Sequence, residues 1–96
     1  MLSQREIDLI IETMKPYHPE KIGVFGSYSR GENKTESDID ILYQFSTPIS
    51  LFEKADLLER LESKLNKSVD LVSEKYLHPF LKESIINDLK IIYDNR

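Results

Sequence analysis

Cysteine is absent from this 96-residue chain, which excludes a disulfide framework, a thiolate metal site and a thiol nucleophile. An excess of positive charge is also missing: 13 lysines and arginines stand against 17 aspartates and glutamates, for a net charge of -4. A free-standing nucleic-acid binder would carry a basic face able to neutralise several phosphates, so no autonomous nucleic-acid binding is expected and a basic patch can only be local. No apolar run approaches the roughly 18 residues that cross a bilayer. Residues 1–15 are amphipathic and acidic, unlike a signal peptide, so the expected location is the cytoplasm. Repeats, low-complexity tracts and long runs of like charge are lacking too, which argues against a disordered arm. What is present is 40% hydrophobic content among interspersed charges, enough for one compact domain over residues 1–96 with one core.

Ser3 and Glu6 form a capping-box pattern, and Ile7, Ile10, Ile11 and Met14 recur at helical spacing, so a helix is predicted over 3–15, ended by Pro16. A polar turn through His18, Pro19 and Glu20 leads to a short buried strand over 22–25. Residues 26–37 hold two of the three glycines among polar residues, which is loop chemistry with room for one helical turn after Ser27. A second strand is predicted over 38–45, with Ile39, Ile41, Tyr43 and Phe45 on one face and Asp38, Asp40, Leu42 and Gln44 on the other. Pro48 and the pair Ser50, Glu53 open a longer helix ending near Asn66, whose apolar stripe reads as Leu51, Ala55, Leu58, Leu61 and Leu65. A third strand follows over 69–72, a helix from Pro79 carrying Phe80, Leu81, Ile85 and Ile86, and a fourth strand over 89–93. This order predicts an α/β (α+β) architecture with a sheet of about four strands and helices mainly on one face.

The chemistry lies in where the acids fall. Asp38 and Asp40 are two apart on a predicted strand, so both carboxylates project from one side of the sheet and repel each other unless a cation joins them. Asp70 lies among Val69, Leu71 and Val72, where an unpartnered acid is costly. If the two strands are neighbours in register, Asp70 comes within about 5 Å of the pair, giving an all-oxygen, three-carboxylate site suited to magnesium or manganese. Ahead of the acids, the junction Gly26, Ser27 supplies close backbone approach, a hydroxyl and the free N–H groups of a starting helical turn, which favour an anion. Arg30, one turn on, can pair with phosphate oxygens or with a loop acid such as Glu32 or Glu36.

Gly26, Ser27, Arg30 and Gly31, followed by Ser37, Asp38, Ile39 and Asp40, resemble the GSxxRG and SDxDhh signature of the DNA polymerase β-like nucleotidyltransferase superfamily, most closely its minimal, MNT-type branch. The resemblance implies that Asp38 and Asp40 bind metal and that Gly26 and Ser27, with Arg30 and Ser37 beside them, bind the nucleotide. It implies that Asp70 is the third carboxylate, holding the catalytic metal and accepting a proton from the acceptor hydroxyl. The implied reaction is attack of that hydroxyl on the α-phosphorus of a nucleoside triphosphate, ATP as the usual donor, with two magnesium ions, or manganese, assisting. Larger transferases of the superfamily append acceptor-binding domains that this chain does not show, so the acceptor is expected to be small or to be another polypeptide. The resemblance names one: MNT proteins are commonly paired in a hetero-oligomer with HEPN-domain ribonuclease toxins, which they neutralise as antitoxins, in some cases by transferring AMP to a toxin tyrosine (AMPylation).

Simpler readings stand beside these. Asp38 and Asp40 can be a solvated strand face, and Asp70 can pair with Lys67 or Lys75. His18 and His78 lack ligand spacing, and His78 before Pro79 reads as a helix-entry residue. Tyr43, Tyr76 and Tyr93 are expected to be half-buried packing residues. A non-catalytic antitoxin that inhibits by contact alone, and a transferase acting on a small molecule or an RNA end, are the rival functions.

Overall fold

The computed structural model describes residues 1–34 and 36–96, so the loop expected over 26–37 contains one position, Thr35, outside the described residues. Helix α1 (Gln4–Met14) begins where its cap predicts: the Ser3 hydroxyl accepts from the Glu6 N–H, and the Glu6 carboxylate accepts from the Ser3 N–H. Pro16 falls in a 3-10 turn over Lys15–Tyr17, after which His18 reverses the chain in the left-handed region (φ 57°). Strand β1 (Pro19–Phe25) starts earlier than expected, because Pro19 and Glu20 belong to the strand and not to the turn. Proline is tolerated as a first strand residue, and an irregularity between Pro19 and Lys21 already interrupts the pairing there.

The one-turn helix α2 (Ser27–Arg30) follows, then β2 (Ile39–Phe45), with Asp38 just ahead of the strand and not in it. Helix α3 (Leu51–Leu65) has its own capping box, Ser50 with Glu53, and ends at Asn66 in the left-handed conformation that asparagine tolerates (φ 55°). Strand β3 (Val69–Ser73), a 3-10 turn over Glu74–Tyr76, helix α4 (Pro79–Asp88) and strand β4 (Lys90–Asp94) complete the chain. His78 caps α4, its Nδ1 accepting from the Phe80 N–H at 3.2 Å.

Among the described residues four strands form one mixed sheet in the order β3-β2-β1-β4, with β1 antiparallel to both neighbours and β2 parallel to β3. Parallel neighbours cannot be joined by a tight turn, and α3 supplies the crossover. Ile10 and Met14 of α1 and Leu57, Leu61 and Leu65 of α3 pack with Ile22, Val24, Ile39, Ile41, Val69 and Leu71, so both helices cover one face. The buried stripe of α3 is shifted from the expected one: Leu57 is core, while Leu51 and Ala55 face solvent. Positions 57, 61 and 65 repeat every four residues along one side of the helix, and its first turn stands clear of the core. On the other face Gly23, Leu42 and Val72 are neighbours across three strands. A Cβ at Gly23 would collide with the side chain of Leu89, so glycine there lets the end of α4 close over the sheet. Leu42 is wholly buried there, although the alternation placed it on the polar face. Of the three tyrosines expected half-buried, Tyr93 is, Tyr43 is fully buried and Tyr76 is exposed. Among the described residues no helix is long and apolar enough to cross a membrane.

Candidate active site

The parallel register pairs Asp40 of β2 directly with Asp70 of β3, and the antiparallel register pairs Asp40 with Phe25 of β1. Adjacent strands lie about 4.8 Å apart, and register partners point to the same face, so the two carboxylates stand side by side. Asp38 is exposed, one residue before the strand. Asp40 is half-buried, and its carboxyl is held above the usual carboxylate range, first by burial, then by the negative charge of Asp70 and then by that of Asp38; Arg30 offsets this only in part. Among the described residues no lysine, arginine or histidine forms an ion pair with Asp38, Asp40 or Asp70. Lys67, the expected rival partner of Asp70, is bonded to Glu6 at 2.8 Å, and Lys75 lies over the Tyr76 ring at 5.5 Å.

Gly26 stands against this acid face. Its φ of 75° and ψ of -151° are open only to glycine, and a Cβ built there would fall on Asp40 Oδ2. The strand-to-helix bend is therefore in contact with the carboxylate. Ser27 is the first residue of α2, where backbone N–H groups lack partners within the helix and point outward. Ser37 stabilises the approach to β2: its Oγ accepts from the Lys34 N–H at 2.8 Å, and its own N–H donates to the Lys34 carbonyl at 3.0 Å. Arg30 is engaged by carboxylates, Glu32 at 2.8 Å and Asp88, and these bonds raise its pKa.

Three residues that fix α2 carry no local signal in the sequence. Tyr28 is buried in the core with Lys67 Nζ 5.2 Å from its ring centroid. The buried Ser29 donates its hydroxyl to the Asp88 carbonyl, and Arg30 bonds the Asp88 carboxylate. Asp88, at the end of α4, thus ties down the helical turn that carries Ser27. The partners are far apart in the chain, and no periodicity or motif joins them.

Among the described residues, no group of three Asp, Glu or His side chains is gathered tightly enough to hold a metal ion unaided. Magnesium is usually held by one or two carboxylates together with substrate phosphates and water, not by an all-protein cage. Two in-register carboxylates with no cationic partner, a third charge beside them and a glycine bend open to an anion fit that mode of binding.

Residues 8–96 match the family model described as polymerase beta, nucleotidyltransferase. The chain is 37% identical over 94 residues to the protein adenylyltransferase MntA of Thermococcus cleftensis, covering 93% of this chain and 95% of that one. It is similar to a chain in the crystal structure of a toxin-antitoxin with AMP-PNP, with a TM-score of 0.83, 27% identity, and coverage of 92% of this chain and 73% of that one. A chain in the structure of tri-AMPylated Shewanella oneidensis HEPN toxin in complex with MNT antitoxin has the same fold, with a TM-score of 0.79 at 24% identity, covering 97% and 73%.

Proposed function

Because the chain belongs to the polymerase β nucleotidyltransferase family, we propose that it transfers AMP from ATP to a tyrosine hydroxyl of a HEPN-domain toxin and acts in the cytoplasm as that toxin's antitoxin. The observation that carries this reading is the in-register pair Asp40 and Asp70 beside Gly26, two carboxylates that among the described residues have no basic side chain paired to them, at the mouth of an anion-accepting turn. The name of the Thermococcus relative supports protein adenylylation, and the two toxin-antitoxin structures support the nucleotide and the partner. Residues 1–96 act as one minimal domain, with the acceptor presented by the toxin.

Gly26, Ser27 and the first N–H groups of α2 bind the triphosphate, and the Arg30 guanidinium one turn on, bonded to Glu32 and Asp88, holds that turn in place for it. Ser37 holds the loop that delivers Asp38. Asp38, Asp40 and Asp70 would hold one or two magnesium or manganese ions, whose chemistry is to neutralise charge on the oxygens entering and leaving the α-phosphorus. The exposed Asp70 lies on the edge strand, where the acceptor arrives, and takes the proton of the tyrosine hydroxyl. The oxygen–phosphorus bond then forms as the bond from the α-phosphorus to its bridging oxygen breaks, and pyrophosphate leaves with the displaced electron pair. The fold contributes positioning and preorganised charge.

Incubating the purified chain with magnesium, ATP and its toxin should add AMP to a toxin tyrosine, read by intact and peptide mass spectrometry. No AMP on the toxin, combined with full neutralisation by a D38N/D40N double variant, would reject catalysis in favour of inhibition by contact.

A further inference from the structure

Helix α4 carries Phe80, Leu81, Ile85 and Ile86 yet buries no residue, leaving Phe80 88% and Leu81 56% exposed. Across from it the first turn of α3 leaves Leu51 85% and Phe52 89% exposed, and Tyr76 between them is 77% exposed. Large apolar side chains concentrated in this way on neighbouring elements mark a surface that another body covers. Between them lie two adjoining hollows of about 470 Å³ each, which share Tyr43, Ile49, Ser73 and Tyr76 and form one groove.

We propose that this groove docks an amphipathic helix of the toxin whose apolar face is flanked by carboxylates, a proposal that rests on the transfer reading above. Charge selects the occupant. Lys54, Lys75 and Lys82 line the groove, and among the described residues none of them forms an ion pair. Among the described residues the groove's one carboxylate, Glu74, is already bonded to Lys21. A chain of net charge -4 thus presents a basic rim around its apolar groove. A second copy of the chain seated on the same face would set these lysines against each other, whereas an acidic-flanked helix pairs with them. Location favours the acceptor: Val72, which lines the groove, lies two residues beyond Asp70 in β3 and on the same face of the sheet, so a helix lying there brings its neighbouring side chains towards the edge where the hydroxyl is needed.

The test uses the full chain, its HEPN-domain toxin and two variants of exposed or rim residues, K54E/K75E/K82E and Leu81→Asp. Affinity for the toxin is measured by calorimetry, and AMP transfer is measured as kcat and KM for the toxin. The thermal shift induced by magnesium and ATP reports that the fold and nucleotide site are intact. Expected is a loss of toxin affinity of at least ~10-fold in each variant, expressed as a raised KM with little change in kcat, a weaker salt dependence in the lysine variant, and an unchanged ATP shift. Unchanged affinity in both variants overturns the proposal, as does a wild type that pairs with itself through this face and loses that pairing in the variants. Groove-dependent toxin binding without any AMP transfer would refute the transfer reading and leave the docking site standing.

Discussion

Any side chain at Gly26 must displace Asp40, because the site where its Cβ would lie is taken by the aspartate's Oδ2 and the backbone there is at positive φ. G26A is therefore expected to cost about 1–3 kcal/mol, read by chemical denaturation, and to lower AMP transfer by far more than that loss of fold explains. Asp40 itself works against the fold. With a folded pKa above the ordinary one, its contribution is fully present only below the unfolded pKa and is lost as pH rises through the folded pKa, so the ionised carboxylate is a liability at neutral pH. Asp40→Asn should raise the melting temperature of the metal-free protein at pH 7, lose that gain in acid where the wild-type group is already protonated, and abolish transfer. Gly26, Ser27, Asp38, Asp40 and Asp70 could be picked out of the sequence as site candidates because a glycine at a strand end and acids among β-branched residues are locally anomalous. Ser29, Tyr28 and Asp88 were not, since their roles exist only once α2 meets the end of α4.

That meeting decides how well the α2 turn is held. Ser29→Ala removes a buried hydroxyl and leaves the Asp88 carbonyl without that donor, at a cost of about 1–3 kcal/mol; the expected signature is a raised KM for ATP with toxin affinity unchanged. In α3, Leu61→Ala should cost about 2–5 kcal/mol and Leu51→Ala less than about 0.5 kcal/mol, a contrast readable in urea midpoints. Equal costs would reject the observed rotation of the helix. Of the eight major elements among the described residues, seven could be read in order because capping boxes, prolines and apolar periodicity are local signals, while the one-turn α2 was expected only as room for a turn in a loop. The start of β1 at Pro19 and the outward side of α3 at Leu51 could not, since both depend on how far the neighbouring elements extend.

For the molecule as a whole, an α/β sheet with helices mainly on one face followed from the pattern of elements, but the strand order β3-β2-β1-β4 did not, because placing β4 beside β1 is a long-range choice. Nucleotide binding should draw on the same charge imbalance that strains the acid pair. With magnesium present, ATP at 100 times its Kd should stabilise the fold by about 2.7 kcal/mol, and ATP alone by much less; equal shifts with and without the metal would argue against carboxylate-held ions.

The parallel pairing of β2 with β3 also has a kinetic consequence. Asp40 and Asp70 sit on opposite sides of the α3 crossover, so closing their register requires a long loop to be ordered first, which is the slow kind of contact to make. A nascent or partly collapsed chain can form the β1–β2 hairpin and the glycine bend early and still hold only half a reaction centre. Catalytic competence should therefore emerge abruptly, with the closing of this non-local register, which keeps a half-made protein from spending ATP on the wrong hydroxyl.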